Sequence, residues 1–168
     1  LPQGEHTAIY GPNGSGKSLL TAMITGAQPL QGKGVDYHWP DDAPRPLHER
    51  IRSITFRDVY GGSEPAYYQQ RWNHFDEQSF PTVAELLGFT EGHAAAIWKA
   101  LGLTDHMEKA VNLLSSGELR RLQLARALNG QPEVLVIDNP YIGLDAGARE
   151  LLTSLFEELG RRLTLVLV

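Results

Sequence analysis

Gly11-Pro12-Asn13-Gly14-Ser15-Gly16-Lys17-Ser18 decides how this chain is read. The stretch fits G-x-x-x-x-G-K-[ST], the pattern of a loop that wraps phosphate. Its glycines let backbone N–H groups turn inward around anionic oxygens. His6 to Tyr10 before it (His-Thr-Ala-Ile-Tyr) reads as a short buried strand, and Lys17 to Ala27 after it reads as a helix. The helix brings the positive end of its dipole to the same place. Lys17 is expected to reach the β- and γ-phosphates of a nucleotide and the Ser18 hydroxyl to ligate Mg²⁺. A Gly-rich turn with an exposed lysine is the plain alternative; the strand before and the helix after argue against it.

Outward from this loop, strands alternate with helices. Val35 to Trp39 and Ile51 to Phe56 read as strands, with a Pro- and Asp-rich turn at Pro40 to Pro46 between them. Thr82 to Leu87 and His93 to Leu101 read as helices. So does Ser116 to Leu128, where Leu119, Leu122, Ala125 and Leu128 recur at helical spacing. Glu133 to Asp138 reads as a strand, Ala146 to Leu159 as a helix and Leu163 to Val168 as a last strand. Such alternation predicts an α/β fold, a three-layer core with a mostly parallel sheet covered on both faces. The expected division is a core of residues 1–56 and 113–168 with a helical subdomain inserted at 57–112.

Val134-Leu135-Val136-Ile137-Asp138 places a carboxylate at the end of a fully apolar strand. In an open parallel sheet that edge is where ligands bind. Asp138 is therefore a candidate to hold Mg²⁺, directly or through water, the alternative being a turn or capping aspartate. Leu114-Ser115-Ser116-Gly117-Glu118 opens a helix with serine ahead of glutamate, a local N-cap pattern. Ser116, Gly117 and that helix N-terminus make a second place for an anion.

Composition bounds the rest. The 168 residues suffice for one domain with a core. A hydrophobic share of 42% with 21% charged residues is ordinary for a globular chain. The net charge of −5 argues against a dedicated nucleic-acid binder, so no nucleic-acid partner is expected. No cysteine is present, which excludes disulfides and fits a reducing compartment. No apolar run approaches the ~18 residues of a membrane span. The expected location is cytoplasmic, with membrane association only through a partner. The chain begins without methionine and stops inside an apolar run, so a piece of a longer protein is expected. The six histidines show no paired metal spacing and read as solvated or local. The cluster Tyr67, Tyr68, Trp72, His74 and Phe75 reads as packing or a docking surface rather than a base-stacking one.

Three pieces in order resemble an ATP-binding-cassette (ABC) nucleotide-binding domain: Gly11 to Ser18, Leu114 to Leu128, and Val134 to Asp145. The first and third carry the Walker A and Walker B motifs, and the middle piece is similar to the family's signature loop with its helix. The resemblance implies a P-loop NTPase fold and binding of ATP with Mg²⁺. Gly11, Pro12, Asn13, Gly14, Ser15, Gly16, Lys17, Ser18 and Leu19 would hold the nucleotide, and Ser18 and Asp138 the metal. It further implies that Ser116, Gly117 and Glu118 act in trans on ATP held by a second cassette, of the same parent chain or of a homodimer. Gly143-Leu144-Asp145 resembles the D-loop at that dimer interface; locally it is a turn that caps the next helix.

Two positions depart from the family pattern. Asn139 stands where glutamate normally polarises the attacking water; an amide accepts a hydrogen bond but cannot take the proton. Arg57 stands at the Q-loop position, where a fixed cation cannot ligate Mg²⁺. It could touch the γ-phosphate, or pair with Asp58 or Glu64 on the surface. Gln69 or Gln70 are weak candidates for the missing amide. The expectation is a site that binds MgATP in a nucleotide sandwich with little or no hydrolysis. It would be one half of an asymmetric pair, similar to soluble tandem-cassette proteins of the molybdate-associated or photorepair type. The alternatives are the ATPase subunit of an ABC transporter, docked on a membrane subunit, and a regulatory module that holds ATP without turning it over.

Overall fold

A computed structural model describes residues 5–28, 32, 34–39, 41, 43–56, 80–88 and 93–168. Arg57, Gln69, Gln70 and the aromatic cluster from Tyr67 to Phe75 lie outside the described residues. The chain divides into two compact units. The first comprises Leu1–Thr55, Gln131–Pro140 and Glu150–Val168; the second comprises Phe56–Gly130 and Tyr141–Arg149.

The first unit is built on a parallel sheet of β1 (Thr7–Ala8), β2 (Ile51–Thr55), β3 (Val134–Asp138) and β4 (Thr164–Leu167), in the order β1-β4-β3-β2. Register is continuous across it: Ile51 pairs with Val134, and Val134 with Thr164. β3 is interior, and Leu135, Val136 and Ile137 are fully buried, which explains the unbroken apolar run in its sequence. Ile51, Val136 and Val166 form the centre of the core, with Ile9, Tyr37, Trp39 and Leu47 packed against it.

The strand read as buried from His6 to Tyr10 is only Thr7–Ala8 and is not buried, since Ala8 and Tyr10 are exposed. Two further details of this unit differ from the sequence reading. Val35 to Trp39 forms no strand and pairs with none among the described residues. Its aromatic side chains do the work that a ladder would have done. Tyr37 stacks on Trp39 at 6.0 Å between ring centroids, and the Tyr37 hydroxyl donates to the Ile24 carbonyl at 2.9 Å. That bond satisfies a carbonyl at the end of helix α1 (Lys17–Ile24), where intrahelical donors run out. The second difference is a short helix, α2 (Leu47–Arg50), directly ahead of β2. It carries Arg50, whose guanidinium is buried at 1% exposure against Asp41 and Glu133, each at 2.5 Å, with Trp39 5.0 Å away.

The second unit is helical: α3 (Val83–Leu87), α4 (His93–Ala100) and α5 (Ser116–Asn129), with single turns at Thr104–His106 and Val111–Leu113. Val83, Leu103, Leu114, Leu122 and Leu124 are its largest fully buried aliphatic side chains. A capping box closes α3, with Thr82 accepting from the Glu85 N–H and Glu85 accepting from the Thr82 N–H. The next free donors of α3, Val83 and Ala84 N–H, go to the carbonyls of Lys109 and Met107 at 3.0 Å each. Asn129 ends α5 by accepting from the Trp98 indole and donating to the Leu87 carbonyl, which ties the three helices together. The last helix, α6 (Ala146–Gly160), begins in this unit and continues in the first.

Candidate functional site

The loop from Gly11 to Ser18 joins β1 to α1 at the carboxyl edge of the sheet. Gly14 and Gly16 have φ of +80° and +87°, backbone that costs an L side chain about 1–2 kcal/mol. Gly16 is also the N-cap of α1, so the helix opens without a side-chain cap and its first N–H groups point into the loop. A Cβ on Gly11 would stand 2.9 Å from the Ser15 hydroxyl, so bulk at Gly11 would disturb the loop. Pro12, Asn13 and Ser15 line the exposed part of the loop, and Leu19 is exposed on the first turn of α1. The Lys17 ammonium donates to the carbonyls of Gly11 and Pro12, both at 2.9 Å. Two of its three donors are thus used to brace the loop, and the third remains for an anionic oxygen.

Asp138 lies at the end of β3 on the same edge, one strand removed from β1. Its carboxylate accepts from the Ser18 hydroxyl at 3.5 Å. The fold therefore brings together two residues 120 positions apart in sequence. A hydroxyl and a carboxylate are the hard oxygen donors that Mg²⁺ takes, and they leave room for the waters that it keeps.

Asn139 follows with φ +55°, left-handed backbone that asparagine tolerates better than most side chains. Its N–H donates to the Val168 carbonyl at 2.9 Å, which locks this backbone against the end of β4. The side chain is exposed. Among the residue types with a polar side chain, asparagine answers a geometric demand here as well as a chemical one.

In the second unit, Ser115 is the N-cap of α5, and the capping box with Glu118 is complete. Ser116 is exposed, and a Cβ on Gly117 would meet nothing within 4 Å. Glu118 turns back into the loop. Its carboxylate takes the Ser115 N–H at 2.6 Å and the Lys109 ammonium at 2.9 Å, and faces His106 at 3.3 Å. Burial is the largest single influence on this carboxyl and opposes its ionisation. The Ser115 N–H, the Lys109 ammonium and the Ser115 hydroxyl together outweigh it and hold the pKa down at about 2. Glu118 thus shapes the loop from which Ser116 and Gly117 project. The capping box was readable in sequence; Lys109 and His106 carried no signal, because their role depends on how residues 104–113 fold back.

Gly143 has φ +64°, and Asp145 caps α6 through the Ala148 N–H at 2.8 Å. The turn before α6 is further held by Arg149, whose Nε donates to the Leu144 carbonyl at 3.0 Å, and by Arg120, which donates to the Ile142 carbonyl.

These features define a P-loop ATPase domain of the ABC type. A family model described as ABC transporter matches residues 1–142, and the chain belongs to that family. It is 34% identical to the Fe(3+) ions import ATP-binding protein FbpC of Streptomyces coelicolor, over 99% of this chain and 47% of that protein. It is 33% identical to the cobalt import ATP-binding protein CbiO of Rhodobacter capsulatus, over 99% of this chain and 60% of that protein. The chain thus spans about half of these relatives' length. The ADP conformation of MJ1267, an ATP-binding cassette of an ABC transporter, superposes with a TM-score of 0.72 at 22% identity, over 98% of this chain and 70% of that one. That likeness shows the fold. Among the described residues no helix is long and apolar enough to cross a membrane.

Proposed function

We propose that this chain binds MgATP on its Walker A loop and forms a nucleotide sandwich with a second cassette, with slow or no hydrolysis at its own site. The observation that carries the reading is the meeting of Ser18 and Asp138 beside the Lys17 loop. Gly11 to Leu19 hold the phosphates in this reading, and Ser18 and Asp138 hold Mg²⁺. Ser116 and Gly117 address the ATP of the second cassette, and Glu118 supports them. Arg57 is the residue at the Q-loop position. The core of 1–56 and 113–168 with a helical insert at 57–112 belongs to the same proposal. So does a parent with two unlike cassettes, in which this one holds ATP.

The Asn139 amide can orient a water but cannot accept its proton. Loss of a general base slows turnover by roughly 10²–10⁴-fold, or about 3–5 kcal/mol of barrier. Single-turnover hydrolysis in the full-length protein, with the second cassette's own site disabled, tests the reading. Slow hydrolysis that accelerates in Asn139→Glu supports it. Fast hydrolysis in the natural protein would show that another group orients the water.

A second reading is favoured by the relatives, which are named as import ATP-binding proteins for Fe(3+) and cobalt. In it the chain is the ATPase part of a transporter and docks on a membrane subunit. Co-purification with a membrane subunit, and hydrolysis stimulated by it, would favour this second reading over the first.

A further inference from the structure

We propose that Arg120 is a positioning residue that ties the first turns of α5, and with them Ser116 and Gly117, to the backbone of the turn from Tyr141 to Asp145. The proposal rests on the sandwich reading, because it assigns the link between the two segments that would face the second cassette.

Arg120 lies four residues after Ser116, one helical turn along α5, and is only 8% exposed. Its guanidinium donates to the Ile142 carbonyl and lies 5.4 Å from the centre of the fully buried Phe56 ring. Burying a guanidinium is unfavourable, and an aliphatic side chain of the same length would fill this space more cheaply. What the aliphatic chain lacks is direction. A planar cation stacked against an aromatic ring is restricted in orientation, and its N–H groups then point one way. Here Nη2 donates to one backbone carbonyl, that of Ile142, in the turn that leads to Gly143-Leu144-Asp145.

The far side of the same turn is held independently. Arg149 Nε donates to the Leu144 carbonyl, the Arg149 N–H donates to the Asp145 carbonyl at 3.0 Å, and Asp145 accepts from Ala148. The turn is therefore gripped by α5 through Arg120 and by α6 through Arg149. A rotation of α5 that moves Ser116 must also pull on Ile142. The two segments move as one body, so nucleotide contact at Ser116 and Gly117 is felt at Leu144 and Asp145. Phe56, whose ring the same guanidinium faces, is the residue before Arg57.

The test compares the full chain with Arg120→Met, Arg120→Lys and Arg120→Gln. Three quantities are measured: amide exchange across residues 141–149 without nucleotide, MgATP affinity, and MgATP-dependent association with the second cassette. In Arg120→Met, exchange across 141–149 should rise about tenfold or more, the range expected for losing one hydrogen bond to a charged donor. Association should weaken by a similar factor. MgATP affinity of the separate chain should stay within about twofold, as for sites without shared partners. Arg120→Lys and Arg120→Gln keep an N–H donor for Ile142 and should recover part of both losses. A purely structural role would lower thermal stability in all three variants without this graded recovery. Wild-type exchange and association in Arg120→Met would overturn the proposal. If that variant does not fold, Lys and Gln variants that behave as wild type on both readouts overturn it equally. An unaltered chain that binds MgATP yet never associates would defeat the sandwich reading instead, and the exchange measurement would still decide the Arg120 link.

Discussion

Lys17 and Asn139 do different kinds of work at the carboxyl edge of the sheet. The Lys17 ammonium braces Gly11 and Pro12 and keeps one donor for a phosphate. Lys17→Ala should weaken MgATP binding by about 10–100-fold, the worth of a charged hydrogen bond, as read by calorimetry or a fluorescent ATP analogue. Asn139 holds a left-handed backbone between Asp138 and Pro140. Asn139→Ala should therefore destabilise by about 1 kcal/mol while Asn139→Gly is close to neutral, as read by urea unfolding. The same strain applies to Asn139→Glu. A glutamate placed there gains a proton acceptor but resists the backbone that positions it, so its rescue of hydrolysis should be partial.

At the scale of elements, the signature helix shows what was legible and what was not. Its start, the serine cap and the closing glutamate follow from a local pattern, and the structure reproduces them. The loop ahead of α1 and the carboxylate that ends β3 were legible as local patterns too, and the structure brings Ser18 and Asp138 together. Val35 to Trp39 was misread because aromatic and β-branched residues signal a strand whether or not a partner strand is present. Arg50 and Arg120 were invisible as buried cations, because their partners at Glu133 and Ile142 lie 83 and 22 residues away. The Glu118 cluster yields a pH prediction. Its carboxyl sits at about 2 in the fold against an ordinary value of 4.5. A depressed carboxylate stabilises the fold above its unfolded pKa and loses that contribution as pH falls through the folded one. Glu118 should thus contribute on the order of 3 kcal/mol at neutral pH, fading between about pH 4.5 and 2. Glu118→Gln removes this contribution. Urea titrations of both proteins should show a gap that is widest at pH 7 and narrows steadily below pH 4.5.

For the molecule as a whole, the decisive question is whether the proposed anion site at Ser116 and Gly117 serves this chain's nucleotide or another's. The Walker A loop and the Ser116–Gly117 surface belong to different compact units of the chain. Gly117→Asp separates the two outcomes. A Cβ added at Gly117 meets nothing within 4 Å, so the backbone there accepts a side chain without a clash at its root. An aspartate in the first turn of α5 also favours the helix, by roughly 0.3–1 kcal/mol through its dipole and further by replacing glycine inside a helix. The fold should accordingly be as stable as before or slightly more so. The same negative charge would face the γ-phosphate of any nucleotide held against this helix. If that nucleotide belongs to a second cassette, MgATP affinity of the separate chain is unchanged and MgATP-dependent association is lost. Ligand-induced stabilisation then stays intact, about 2.7 kcal/mol at a hundred times Kd, and only in Lys17→Ala does it fall, to roughly 0.4–1.4 kcal/mol at the same ligand concentration. If Gly117→Asp instead lowers the affinity of the separate chain as Lys17→Ala does, the signature helix acts on its own nucleotide, and the trans reading of Ser116 and Gly117 is wrong.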